Sequence, residues 1–444
     1  MKNKLKINNS TWSSVHMYSL HLIQESIGQI SKMPNLKSLI SYPAKISASI
    51  NPEVTRIPTA LSANVEPKIL QLKPKKLPPL PKTRDLLNVY GIRAKKNLSQ
   101  NFLLNPKLTR GLVRAAGISP GQRVIEIGPG PGNLTRSILE QSPFEVLAVE
   151  KDRRFLPLLE QLADSVLPGQ LKILLGDALN HDFDNVFGDP HELVKNYELS
   201  SDLPDYLFNF SRKWSDSDAP LIRVIGNLPF SVSTIMLIKW LNHISMRNSF
   251  WQYGRVPMLL TFQEEVARRI CAKPTEFERS RLSAMSQNYC YTEYLFTISG
   301  KSFTPMAGVD TGVVRFNPRK EPYCKVPFKI FEKFIRHMFH HRNHTLEYNF
   351  KTLYPRDMHS LAVECFKPAR VNKSIYPYMI GNRELARLCT EYYDHCRQIP
   401  SLAEFNYRAS KRLVSESSLK VLQDAKLSLL PKLDASTVTT QGAV

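Results

Sequence analysis

The sequence predicts an α/β fold: an open, largely parallel sheet with helices on both faces, followed by a small basic helical domain. Three observations carry that prediction. Between Thr83 and Pro318, short β-rich apolar runs alternate with segments of helix length. The first run leads directly into a glycine-rich turn, as a strand entering a helix does. Beyond residue 318 the runs give way to helical spacing with a marked excess of Lys and Arg.

The runs Val124–Ile127, Val146–Glu150, Ile173–Leu175, Arg223–Ile225 and Met258–Phe262 are apolar on both faces. Strands of that kind lie between two helical layers. A late hairpin, Phe296–Phe303 with Val309–Phe316, is expected to close the sheet, completing a domain over 77–318. Within it, residues 178–220 carry nine acids against three bases and are expected to form a solvated, partly irregular insertion. Residues 319–412, with 18 bases against nine acids, read as the basic helical domain, and residues 413–444, Ser/Thr-rich and net neutral, as a disordered tail. Prolines from 34 to 81 deny helix and sheet a continuous ladder, so residues 1–76 are placed outside the fold. Their opening thirty residues hold Lys2, Lys4 and Lys6 and a single acid, Glu25, a composition that resembles a mitochondrial targeting segment.

The chain has 444 residues and a formal net charge of +21, from 60 Lys+Arg against 39 Asp+Glu. That balance favours a polyanionic partner. No apolar run of about 18 residues is present, which excludes a membrane-spanning helix. Six Cys without a CxxC pair give no disulfide framework and suit a reducing compartment. Residues 1–83 hold twelve bases against three acids, so much of the charge excess lies ahead of the fold.

The glycine turn reads Glu126-Ile-Gly-Pro-Gly-Pro-Gly132-Asn-Leu-Thr135. Glycines let the backbone turn sharply and approach a ligand where a Cβ would clash. The next strand ends in Glu150, placed to meet ribose hydroxyls, and the third ends in Gly176-Asp177, a carboxylate suited to an adenine amine. A nucleoside cofactor follows. A pyrophosphate would use the N–H groups that Pro129 and Pro131 lack, whereas S-adenosylmethionine has no phosphate and is the cofactor expected. After the fourth strand comes Gly226-Asn227-Leu228-Pro229-Phe230. An adenine amino nitrogen is a poor nucleophile because its lone pair is delocalised into the ring. The Asn227 side-chain oxygen and the Leu228 carbonyl would accept its hydrogens and localise that pair, Pro229 would stiffen the loop, and Phe230 would offer a face to an unstacked base. No metal is required.

With these residues the sequence resembles the ribosomal RNA adenine N6-dimethyltransferase family, and specifically its mitochondrial branch, also called mitochondrial transcription factor B. The matching segments are Leu98-Ser-Gln-Asn-Phe-Leu103, Glu126–Gly132, Val149-Glu-Lys-Asp152, Gly176-Asp177, Asn227-Leu-Pro-Phe-Ser231, Thr261–Ala267 and Val309–Phe316, in family order from about Leu77 to Arg412. The resemblance implies a Rossmann-like S-adenosylmethionine-dependent methyltransferase sheet. It places Gln100, Asn101 and Leu103 in a segment folding over the cofactor, and Gly128, Glu150, Lys151, Asp177, Ala178 and Asn227 on cofactor-binding positions, with Glu126 at the start of the loop counted among them. Phe303 falls where an aromatic faces the flipped base opposite Phe230, although Ala307 replaces the second proline of that segment. The implied activity is N6,N6-dimethylation of two adjacent adenosines in a hairpin loop near the 3′ end of mitochondrial small-subunit rRNA, supporting ribosome assembly. The implied setting is the mitochondrial matrix, with the small ribosomal subunit as partner, no membrane, and a monomeric chain. The alternative is a transcription factor binding mitochondrial RNA polymerase and DNA, with methylation secondary. The intact glycine loop, Glu150, Asp177 and NLPF argue against that decay.

Other signals weigh less. His337, His340, His341 and His344 share one face if a helix spans them, but Arg336 and Arg342 would repel a cation. Lys95, Lys96, Arg279, Arg281 and Arg315 read singly as surface charges within reach of RNA phosphate. Trp240, Phe262 and Phe296 read as core.

Overall fold

A computed structural model describes residues 77–95, 100–181, 183–187 and 209–429. The proposed targeting segment, Lys96, Leu98 and Ser99, most of the acidic insertion and residues 430–444 lie outside them.

Nine strands occur among the described residues, in chain order: β1 Phe102–Leu103, β2 Arg123–Ile127, β3 Glu145–Glu150, β4 Leu171–Leu175, β5 Ile222–Gly226, β6 Met258–Gln263, β7 Cys290–Ile298, β8 Phe303–Thr304 and β9 Thr311–Pro318. Seven form one sheet in the order β4-β3-β2-β5-β6-β9-β7. β2 through β6 pair in parallel, and β9 runs antiparallel between β6 and β7. The chain order reverses at β2, between β3 and β5, where an open α/β sheet leaves a crevice at its carboxyl edge.

Successive residues of one strand point to opposite faces, and the core obeys that rule. Ile125, Ile127, Leu147 and Val149 face one layer with Leu237, Trp240 and Leu241 of the Phe230–Met246 helix. Val124, Val146 and Ala148 face the other with Leu112, Val113, Leu134 and Ile138 from the Pro106–Ala116 and Asn133–Leu139 helices. The first of those helices starts at Asn105, whose side chain accepts from Lys107 N–H at 2.9 Å, and ends at Gly117 in the left-handed conformation. The first core layer continues without a break past Pro318 through Phe331, Phe334, Phe350, Tyr392 and Leu402 of the later helices.

Four expectations are corrected. The closing hairpin starts earlier, its first strand running from Cys290 to Ile298, and Phe303 belongs instead to β8, which pairs with β1. Residues expected to be a disordered tail form a helix, Lys411–Leu429, because Val421 and Ala425 bury one face against the neighbouring Pro400–Glu404 helix. The insertion is anchored at both ends: Phe183 and Phe187 are buried, and Phe187 packs against Phe210 with ring centroids 5.7 Å apart. Both of the latter rings lie against the buried guanidinium of Arg123, which pairs with Glu145 at 3.4 Å. The four histidines do not share a helix face, since the helix ends at Met338. His337 is buried and bonded to Thr352, while His340, His341 and His344 follow in the turn.

Candidate active site

The carboxyl ends of β2, β3, β4 and β5 open onto a cavity of ≈ 300 Å³. Gln100, Asn101, Leu103, Gly128, Glu150, Lys151, Asp177, Ala178, Asn227, Leu228, Pro229, Phe230 and Phe303 all line it. Glu126 does not. It sits beneath the glycine loop, fully buried, beside Thr135. Burial pushes its carboxyl up to about 8 against the pull of the neighbouring Thr135, with Glu150 adding to the rise.

Gly128, Gly130 and Gly132 have φ of 69°, 53° and 83°, the left-handed region that glycine enters without strain. At Gly128 a Cβ would meet no protein atom within 4 Å, so the cavity wall there is backbone alone. Glu150 fastens this loop. Its Oε2 accepts from Gly130 N–H at 2.9 Å, and its Oε1 from Lys151 and Asp152 N–H at 2.8 Å each. A carboxylate offers about four lone-pair positions, so roughly one remains for a ligand hydroxyl. Burial raises the Glu150 carboxyl, and these three donors pull it partly back.

Asp177 is held on one side by Lys151 Nζ at 2.7 Å and on the other by Leu179 N–H at 3.0 Å. Burial alone would raise its carboxyl, but these donors and the nearby Lys239 charge leave it lowered and ionised. Gln100 reaches back to Asp152, donating to Oδ2 at 2.9 Å, while Arg154 pairs with the same carboxylate at 2.6 Å. That network pins the segment entering β1 over the cavity. A second strap lies outside it: Thr83 donates to Asn133 Oδ1, and Asn133 Nδ2 donates to Leu103 O at 3.1 Å.

The target-side wall is built from β5. Gly226 ends that strand, and a Cβ there would sit 2.9 Å from Leu228 and 3.1 Å from Ile127 O, so only glycine lets the turn close on β2. Leu228 buries its side chain, which fixes its backbone at the cavity wall. Pro229 O receives Val232 and Ser233 N–H at 3.1 Å each and opens the Phe230–Met246 helix. Asn227 Oδ1 accepts from the Thr261 hydroxyl at 2.9 Å. Phe230 is half-buried, whereas Phe303 is buried, held by the pairing of β8 with β1. The loop after Phe303, short of a proline at Ala307, is tied by other means: Ala307 N–H donates to Gly300 O at 3.0 Å, and Asp310 Oδ1 accepts from Gly300 N–H at 2.8 Å.

Sequence reasoning did not assign Asp152, Asn133, Phe102 or Phe155, although all four line the cavity. Asp152, Phe102 and Asn133 stood inside quoted motifs without being assigned, and Phe155 gave no signal of its own. Of the basic residues weighed for RNA, Arg279 is buried, donating to Asn382 at 2.8 Å and to Gln287 at 3.2 Å, which ties the Arg281–Tyr289 helix to the Asn382–Gln398 helix. A ligand-facing backbone turn, a ribose-competent carboxylate and an acid at the third strand end fit a nucleoside cofactor without phosphate.

A family model described as ribosomal RNA adenine dimethylase matches residues 91–375. The chain is 40% identical over 339 residues to dimethyladenosine transferase 1, mitochondrial, of Xenopus tropicalis, covering 76% of this chain and 92% of that protein. To the protein of the same name in Homo sapiens it is 38% identical over 353 residues, covering 79% and 96%. To that of Drosophila melanogaster it is 37% identical over 340 residues, covering 76% and 95%.

Proposed function

The chain belongs to the ribosomal RNA adenine dimethylase family and is an S-adenosylmethionine-dependent rRNA adenine dimethyltransferase, and from that premise we propose that its target is a pair of adjacent adenosines in a hairpin loop near the 3′ end of mitochondrial small-subunit rRNA. The setting of this reading is the mitochondrial matrix, and the role is assembly of the small ribosomal subunit. Support for the compartment comes from the names of relatives matched along almost their whole length. The observation that carries the chemistry is Asn227-Leu228-Pro229-Phe230 lining the same cavity as the glycine loop.

When bound, S-adenosylmethionine supplies a methyl on a cationic sulfonium. Gly128, Glu150, Lys151 and Asp177 would hold it, under Gln100, Asn101 and Leu103. The residues of this chain then have to align a weak nucleophile. Asn227 Oδ1 and Leu228 O accept the hydrogens of the target amine and draw its lone pair out of the ring. Phe230 takes the base face, with Phe303 across the cavity. Bringing the two reactants into line supplies most of the barrier reduction, and desolvation of the site strengthens each hydrogen bond. The basic helices after Pro318 engage RNA phosphates, giving salt-sensitive affinity with little sequence reading.

Two measurements test this reading. Cells lacking the protein are expected to lose dimethyladenosine from the mitochondrial small-subunit rRNA hairpin, read by mass spectrometry. Unchanged dimethyladenosine would sink the target assignment. In vitro, Asn227→Ala should lower methyl transfer about 100-fold or more with the melting temperature preserved.

A further inference from the structure

We infer that Thr261 is a positioning residue for methyl transfer: its hydroxyl anchors the Asn227 carboxamide oxygen where it faces the target amine. The inference rests on the reading of Asn227 as the amine acceptor.

Strand register brings the two residues together. Gly226 of β5 lies opposite Leu260 of β6, so Asn227, one step past the strand end, meets Thr261. Thr261 is 1% exposed, and its hydroxyl donates to Asn227 Oδ1 at 2.9 Å. On the other side, Asn227 Nδ2 faces the backbone oxygen of Asn101 at 3.5 Å. That oxygen can only accept, so the group facing it must be the amide nitrogen. A hydroxyl can donate or accept, so the Asn101 carbonyl selects which end of the amide is the oxygen, and Thr261, donating to that oxygen, anchors it.

The orientation decides the chemistry. An amide oxygen has two lone pairs, and Thr261 occupies one. The other remains for an N–H of the target. The flipped amide would present two hydrogens to an amine that also bears hydrogens, and the acceptor would be lost. Asn101 alone holds the amide weakly, since its contact lies at the outer limit of a hydrogen bond. The buried hydroxyl makes the shorter bond and holds the oxygen end in place once that orientation is set. Thr261 itself is not on the cavity wall, so it acts through Asn227.

The experiment compares Thr261→Val, which removes the donor, with Thr261→Ser, which keeps it, on a small-subunit rRNA hairpin. The valine variant should lose about tenfold or more in kcat while KM for RNA stays within twofold, because misplacement at the reacting centre costs rate more than binding. The serine variant should retain at least half of the wild-type kcat. A second readout needs no turnover. With S-adenosylhomocysteine bound, the wild type should prefer a hairpin carrying adenosine over one carrying purine riboside, which lacks the amine, by about fivefold. Thr261→Val should lose that preference. Thr261→Ala serves the same comparison if the valine variant misfolds. A valine variant with kcat within twofold of wild type overturns the inference, as does a serine variant damaged equally. Asn227→Ala run in parallel separates the failures: an active Asn227→Ala removes the premise, whereas an active Thr261→Val beside an inactive Asn227→Ala removes only the role of Thr261.

Discussion

Two buried carboxyls on adjacent strands show how position sets the behaviour of one side-chain type. Glu150 at the end of β3 is surrounded by backbone donors and binds the glycine loop. Glu126, in the middle of the core beneath that loop, has chiefly Thr135 to answer it and is raised to about 8. A carboxyl raised in the fold from an ordinary 4.5 holds its proton at neutral pH. Its contribution to stability is complete below pH 4.5 and is lost as pH rises towards 8, because the folded state binds the extra proton in that window. Glu126→Gln should therefore flatten the fall in unfolding free energy between about pH 5 and 8, a span worth roughly 4 kcal/mol, measured by urea titration. Both acids are visible in the sequence as strand residues flanking a glycine turn, and the sequence assigns both to the cofactor. Only packing separates them, because burial is decided by helices far along the chain.

Elements with dense local patterns are legible in the sequence, and elements that depend on a distant partner are not. The five strands apolar on both faces are recognisable from their own residues. The Lys411–Leu429 helix is not, since Ser and Lys surround the two positions that bury, Val421 and Ala425. Its stability comes from docking, because an isolated helix of that composition is marginal in water. Val421→Asp places a charge at a position of 0% exposure and should cost about 3 kcal/mol or more locally. Hydrogen exchange is expected to show loss of protection across residues 411–429, with the sheet strands unchanged. Loss of protection in β2 as well would mean that the helix supports the sheet. The same logic applies at the site. The glycine loop and NLPF are contiguous signals, whereas the Thr261–Asn227 bond depends on the pairing of β5 with β6, which leaves no trace in either local sequence.

At the scale of the molecule, the charge that first pointed to a polyanion proves to be unevenly distributed. Residues 319–412 carry twice as many bases as acids, on helices continuous with the sheet through one core layer. Part of that charge is structural, as Lys333 shows by donating to Leu402 O and Ala403 O at 2.9 Å each, so the charge available to RNA is smaller than composition suggests. The acidic insertion was legible as an insertion from its composition. Its anchoring was not, because Phe183, Phe187, Phe210 and Trp214 are spread among nine acids. The meeting of Phe187 with Phe210 over Arg123 has a consequence for how the chain tolerates change. The described ends of the insertion already touch there, and the closure entropy of a connection between fixed ends varies only with the logarithm of its length. Replacing residues 189–208 with a short Gly/Ser turn should thus leave cofactor affinity within twofold by calorimetry and the melting temperature unchanged or slightly higher. A clear loss of either would assign those residues a part in holding the sheet. If the trimmed protein behaves as expected, this stretch is a natural port, a place where sequence can be added or removed with the catalytic edge undisturbed.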